Sequence, residues 1–317
     1  MPSFSEESSQ NVKHTERLGQ IWIYLGKLFR IFINERNWTV FPMAIIVSLI
    51  VSVVVDNVFV NMEGTQVGAL AFACVCIWNG FFNSIQSICK ERPIIKREHR
   101  AGMHISSYII AHMIYQAVLC FGQTIIQLIV YHFLVSNRFP FPSAGPVTGN
   151  FMVDFGITLF IITYAADMLA LMVSCIVKTT TAAMTVVPFL LIIQLIFSGV
   201  AFTLRGIVDK ISYATISRWG IRTICTVGNY NSLPSITLHA AVNKLTTVPE
   251  IRMIYKYIRE TEIWNIIGEA STKNMMNAEY AYTAANVYKE WGVMIGMALL
   301  FALAGMIALE FIDKDKR

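Results

Sequence analysis

The chain has 317 residues, of which 55% are hydrophobic and only 14% charged, with a mean hydropathy of +0.56. A soluble domain carries about a quarter charged residues, and here the deficit is concentrated in long charge-free windows, so the solvent of this chain is lipid. The net charge of +5 is modest, and its lysines and arginines cluster beside apolar segments, a pattern of membrane orientation rather than of nucleic-acid binding.

The polar, basic start of the chain has no cleavable signal pattern, so the first apolar segment is expected to stay as an anchor. Within residues 15–38, apolar side chains recur at Leu18, Ile21, Leu25, Leu28, Phe29 and Phe32, while Arg17, Lys27 and Arg30 fall largely off that stripe. This spacing predicts an amphipathic helix in the inner interface, the alternative being an extension of the first span. Residues 1–38 are accordingly set apart from a membrane domain over 39–317. Crossing the hydrocarbon core takes roughly 20 apolar residues, and six windows qualify: 39–60, 67–87, 106–134, 149–177, 181–202 and 288–312.

Orientation follows from the basic residues of the short connections. Lys13, Arg17, Lys27, Arg30 and Arg36 precede the first span, and Lys90, Arg92, Lys96, Arg97 and Arg100 follow the second. Lys178 separates the fourth from the fifth, and Lys314, Lys316 and Arg317 end the chain, whereas the opposite side has only Arg138 in its short loops. Both termini are expected in the cytoplasm of a multi-pass plasma-membrane protein. Residues 203–287 form an exterior segment, long enough to translocate regardless of charge, with a helical cap predicted at 248–270 from the apolar spacing of Ile251, Ile254, Tyr255 and Ile258. It has no Asn-x-Ser/Thr sequon, which favours a bacterial cell membrane. Of the six cysteines only Cys225 falls in this segment, so no disulfide framework is expected there.

The densest charge lies in "CKERPIIKREHRAGMH", Cys89 to His104. Pro93 suits a first helical position and Gly102 a C′ position, bounding a short helix of about nine residues with Glu91 near its positive end and Arg97 and Arg100 near its negative end. Ile94 and Ile95 give it an apolar edge. Such a helix is a docking surface for a cytoplasmic partner; topological anchoring alone needs neither caps nor internal acids.

The stretch "ERPIIKREHRAGMHISSYIIAHMI", Glu91 to Ile114, resembles the first intracellular loop and third-helix entry of ABC-2 type exporters, especially the white-type (ABCG) subfamily. "WNGFFNSIQSICKER" and "FLLIIQLIFSGVAF" are similar to that family's second and fifth spans, and the likeness runs over nearly the whole chain. It implies an all-α integral membrane protein of six transmembrane helices with the ABCG-like (type V) exporter architecture, an N-terminal interfacial helix and a helical extracellular cap between helices 5 and 6. It also implies a coupling helix formed by Glu91, Arg92, Lys96, Arg97, Glu98, Arg100 and Gly102, which receives motion from an ATP-binding cassette ATPase. Two such six-helix units, identical or homologous, would face each other around a path lined by Asn79, Phe82, Asn83, Gln194, Phe197 and Ser198; ordinary helix packing is the other reading of these residues. G-x-x-x-x-G-K-[ST] occurs nowhere in the chain. Nucleotide hydrolysis, with its ATP and Mg, is therefore expected on a separate subunit or on the rest of a longer chain, with no cofactor and no enzymatic chemistry here.

Asp167 is the deepest acid of the apolar windows, without Lys or Arg at similar depth. An ionisable group there costs about 2.5–3.5 kcal/mol on insertion scales and should face protein or water. It is either a structural hydrogen-bonding group or the ion relay of a secondary transporter or channel. A third class, a membrane scaffold that transports nothing, would use the exterior segment alone. Asp56 and Asp154 are expected to reach water at the outer surface. His104 and His112 lack an acidic neighbour and make a poor metal site.

Overall fold

The computed structural model of the protein describes residues 16–35, 37–202, 204–234 and 276–314. The cap expected at residues 248–270 lies outside the described residues. Among the described residues every regular element is helical: α1 Arg17–Asn34, α2 Val40–Val54, α3 Met62–Ser84, α4 Ser87–Arg100, α5 Ile105–Leu134, α6 Phe151–Ile176, α7 Thr180–Ile196, α8 Ile207–Ser212, α9 Ile216–Val227 and α10 Ala284–Lys314.

Four of these stretches are long and apolar enough to cross a membrane: α3 running on into α4, α5, α6, and α10 up to Phe311. They coincide with the expected second, third, fourth and sixth spans. The expected first and fifth, α2 and α7, are apolar but have only 15 and 17 residues. At 1.5 Å per residue they reach about 22 and 25 Å, short of a ~30 Å hydrocarbon core. After α2 the chain turns through positive φ at Asn57 and Phe59. Phe59 holds this rare conformation because its N–H meets Thr65 Oγ1 at 2.9 Å and its ring packs edge-on against Phe141, Phe151 and Phe155.

The core is built on α6, which is buried along nearly its whole length between α3 and α10. Gly80 of α3 lies against the α6 backbone at Thr163 and Asp167, which is what lets these two helices approach closely. Near the start of α2, Asn83 and Gln123 exchange side-chain hydrogen bonds of 2.8 and 3.0 Å between α3 and α5.

Within residues 203–287, α9 packs among α3, α6 and α10, with every one of its residues buried except half-buried Arg218. Cys225 is buried within it. One expectation changes here: Asp154 does not reach water, since it is fully buried and accepts the N–H groups of Val147 at 2.9 Å and Thr148 at 3.1 Å, folding the preceding loop onto α6. Asp154→Ala removes the acceptor for both donors and is expected to destabilise the protein by about 1.5–3 kcal/mol, seen as a lower melting temperature in detergent. An unchanged melt would show that the loop finds other acceptors.

Candidate coupling helix and transport path

Helix α4 starts at Ser87, not at Pro93. The reason is tertiary: Ser174 Oγ at the end of α6 accepts the N–H groups of Ile88 and Cys89 at 3.0 and 3.2 Å, satisfying donors that a helix start leaves open. Pro93 therefore sits inside a 14-residue helix, on its exposed side. At the other end Gly102 takes φ +102°. Its N–H meets His99 O at 3.1 Å and the Met103 N–H meets Glu98 O at 3.0 Å, the paired bonds of a Schellman ending.

The helical period divides α4 into two faces. Arg92 and Ile95 are buried, and Glu91 and Glu98 half-buried, on the face turned toward the bundle. Arg92 Nη2 donates to the Cys175 carbonyl of α6, and Tyr108 of α5 donates to Glu91 Oε2 at 3.0 Å. Lys27 of α1 lies 3.2 Å from Glu98 and 3.7 Å from Glu91. Burial and the neighbouring Glu98 carboxylate push the Tyr24 phenol of α1 up to about 12, so it stays protonated beside these charges. Gln20 of α1 closes the far end, donating to Gly102 O at 3.1 Å and accepting the His104 N–H at 2.9 Å. Half-exposed ion pairs contribute at most ~1 kcal/mol each, so their effect is to fix position. A movement of α4 is thereby tied to α1, α5 and α6 together. Pro93, Ile94, Arg97 and Arg100 face outward, Lys96 is half-buried, and Lys90 meets Glu35 at 3.1 Å on the surface.

The six residues expected along a path are dispersed. Asn79 is buried within the bundle, and half-buried Asn83 is engaged with Gln123. Gln194 is buried and caps α9, its Oε1 accepting the Ser217 N–H at 3.0 Å and its carbonyl accepting the Ser217 hydroxyl at 2.5 Å. Ser198 is buried, with Oγ accepting the Val200 N–H at 3.3 Å, and Phe197 is half-buried. Phe82 alone of the six is exposed, its ring 4.8 Å from that of Trp78. Beyond these, α7 exposes Phe189, Ile192, Ile193 and Ile196.

The family model described as ABC-2 type transporter matches residues 20–227, from α1 to the end of α9. The chain belongs to the ABC-2 type transporter family. It is a multi-pass membrane component of the permease kind. A curated relative, the ABC transporter ATP-binding/permease protein Rv1747 of Mycobacterium tuberculosis (strain ATCC 25618 / H37Rv), is 29% identical over 149 residues, 45% of this chain and 16% of the relative. The chain thus matches only a small part of that protein's length.

In this ABC-2 membrane component Asp167 is fully buried on α6, with Cys120 Sγ 3.3 Å from Oδ2. Its surroundings are helix–helix contacts. His112 is buried, its ring 4.7 Å from that of Tyr108, whereas His104 is exposed at the start of α5. Among the described residues no group of three or more His, Cys, Asp or Glu side chains could hold a metal.

A charge network escaped the sequence reading. Arg218 and Arg222 of α9 reach Glu279 at 3.3 and 3.5 Å, Arg218 reaches Asp209 at 3.4 Å, and Arg222 reaches the fully buried Glu290 of α10 at 3.5 Å. The available signal was Glu290 itself, an acid inside an apolar window that needs a cationic partner.

Proposed function

We propose that this chain is the membrane-spanning subunit of an ATP-driven exporter, with α4 as the helix through which a separate ATP-binding cassette subunit drives it. The observation that carries this reading is the division of α4 into an anchored face and an outward cationic face. Arg97 and Arg100, with Lys96 beside them, meet the ATPase, while Glu91, Arg92 and Glu98 pass the displacement to α1, α5 and α6, and Gly102 ends the helix. The distribution of Lys and Arg puts this end in the cytoplasm, with both termini, and α2 and α7 complete six crossings in a bacterial cell membrane. α1 lies in the inner interface, and residues 203–287 are the extracellular segment that the type V arrangement carries between helices 5 and 6. The relative's printed name, joining ATP-binding to permease, supports an ATPase partner; ATP and Mg bind there. Two such units, identical or homologous, pair so that Phe82, with Trp78 and the exposed side of α7, faces the path. Asn79, Asn83, Gln194 and Ser198 hold the helices that carry it.

The test is reconstitution with the partner ATPase in liposomes. Replacing Arg97 and Arg100 together by Glu is expected to lower membrane-subunit-stimulated ATP hydrolysis by about tenfold or more, because like charges then face the docking surface. Both side chains are exposed, so the melting temperature should stay close to the parent's. Stimulated hydrolysis and transport at the parental rate would refute the coupling role.

A further inference from the structure

At the same end of the protein, a groove of about 580 Å³ opens where α4 meets the connection from α6 to α7. Lys90, Arg92, Lys96, Lys178, Thr179 and Thr180 line it, and among the described residues no Asp or Glu does. Lys90 also meets Glu35 at 3.1 Å across its exposed edge. Arg92 is only 8% exposed, and its Nε has no hydrogen-bond partner among the described residues although its Nη2 is held by the Cys175 carbonyl. The first turn of α7 adds partial positive charge: Thr179 Oγ1 takes the Ala182 N–H at 3.2 Å, and the Thr180 and Thr181 N–H groups have no acceptor within the helix. These features together call for an anion.

The groove does not end there. A second cavity of about 440 Å³ shares Thr180 with it and runs along α7 past Gln86, Met184 and Thr185. Further along, α7 exposes Phe189, Ile192 and Ile193. A cationic recess that leads onto an apolar helix face has the polarity profile of a phospholipid, headgroup first and acyl chains after. A free phosphate would leave the second cavity and the α7 face unused, and an acidic protein surface would have no reason to follow α7 into the bilayer.

We propose that this groove binds the phosphate headgroup of an anionic phospholipid of the inner leaflet, whose acyl chains lie along α7. Basic recesses between helices at the cytoplasmic face suit such headgroups. The proposal rests on the reading that places the α4 end in the cytoplasm, but it does not require the ATPase.

The test therefore uses the purified chain alone, in nanodiscs of phosphatidylcholine doped with phosphatidylglycerol, with retained lipid counted by native mass spectrometry. The parent should retain phosphatidylglycerol in preference to phosphatidylcholine. Lys178→Glu should lower that preference by about fivefold or more, and Arg100→Glu, at the same end but outside the groove, should leave it unchanged. Equal retention of the two lipids, or no effect of Lys178→Glu, overturns the site. An equal loss with Arg100→Glu reduces it to general surface charge and also overturns it. Displacement of the lipid by inorganic phosphate would assign the groove to a soluble anion instead. Loss of ATPase association in Lys178→Glu with lipid retention intact would assign it to the protein partner, again against the proposal. Stimulated hydrolysis is measured separately, so failure of the lipid site and failure of coupling give different results.

Discussion

Arg222→Ala should destabilise the protein by about 3–5 kcal/mol, the usual consequence of removing one member of a buried ion pair. The Arg222 side chain is only 6% exposed and lies 3.5 Å from both Glu279 and Glu290, with its guanidinium 4.8 Å from the Trp219 ring centroid. Glu290 is fully buried on α10, so without the guanidinium its carboxylate is left in a low-dielectric interior without the cation that lies 3.5 Å from it. The effect should appear as loss of monodisperse protein on detergent extraction and a lower melting temperature. Neutralising both partners, Arg222→Met with Glu290→Gln, should recover much of the loss, because paired neutral replacements of buried ions are often tolerated. If Arg222→Ala alone melts with the parent, the network does not hold α9 to α10.

Gly80→Ala is the second large effect. Alanine is the better helix former by about 1 kcal/mol, so on propensity alone the change would stabilise α3. The packing predicts the reverse. A Cβ at Gly80 would stand 2.8 Å from the Asp167 backbone N, 2.9 Å from Ala166 Cβ, and closer still to the Thr163 carbonyl. Two of these are backbone atoms that cannot rotate away, so α3 and α6 must separate. Overpacking of this kind costs about 1–3 kcal/mol, occasionally more. Gly26→Ala on α1 is the control, since a Cβ there meets nothing within 4 Å among the described residues. A melting temperature lowered by Gly80→Ala and not by Gly26→Ala is expected; a rise in both would mean that α3 and α6 are not in close contact.

Both effects depend on residues that could not be paired by inspection of the chain. Gly80 reads as one more small residue in an apolar window, and nothing near it in sequence announces the α6 backbone. Arg218 and Arg222 read as the charges of an exterior loop, because their carboxylate partners lie 61 and 68 residues away (279 − 218 and 290 − 222). For the same reason α9 went unnoticed: twelve residues with two arginines fall below any criterion for a span. The candidate coupling helix was more legible. Its charges and its Gly102 ending are local features, whereas its start at Ser87 depends on a hydroxyl of Ser174 that arrives from another helix.

Composition and periodicity alone determined that the chain is a helical membrane protein, roughly where its long apolar helices run, and that a charged helix follows the second of them. These follow from the length of hydrocarbon to be crossed and from rules that act over one helical turn. Tertiary structure alone decided which polar residues are spent inside the bundle. Asn83, Gln194 and Ser198 are engaged in bonds that hold the helices and loops in place, Asp154 ties down a loop, and Arg222 neutralises Glu290. It also divided α4 into anchored and outward faces. In a low-dielectric interior each buried polar group requires a partner, and that partner is chosen by how distant helices pack, not by neighbours along the chain.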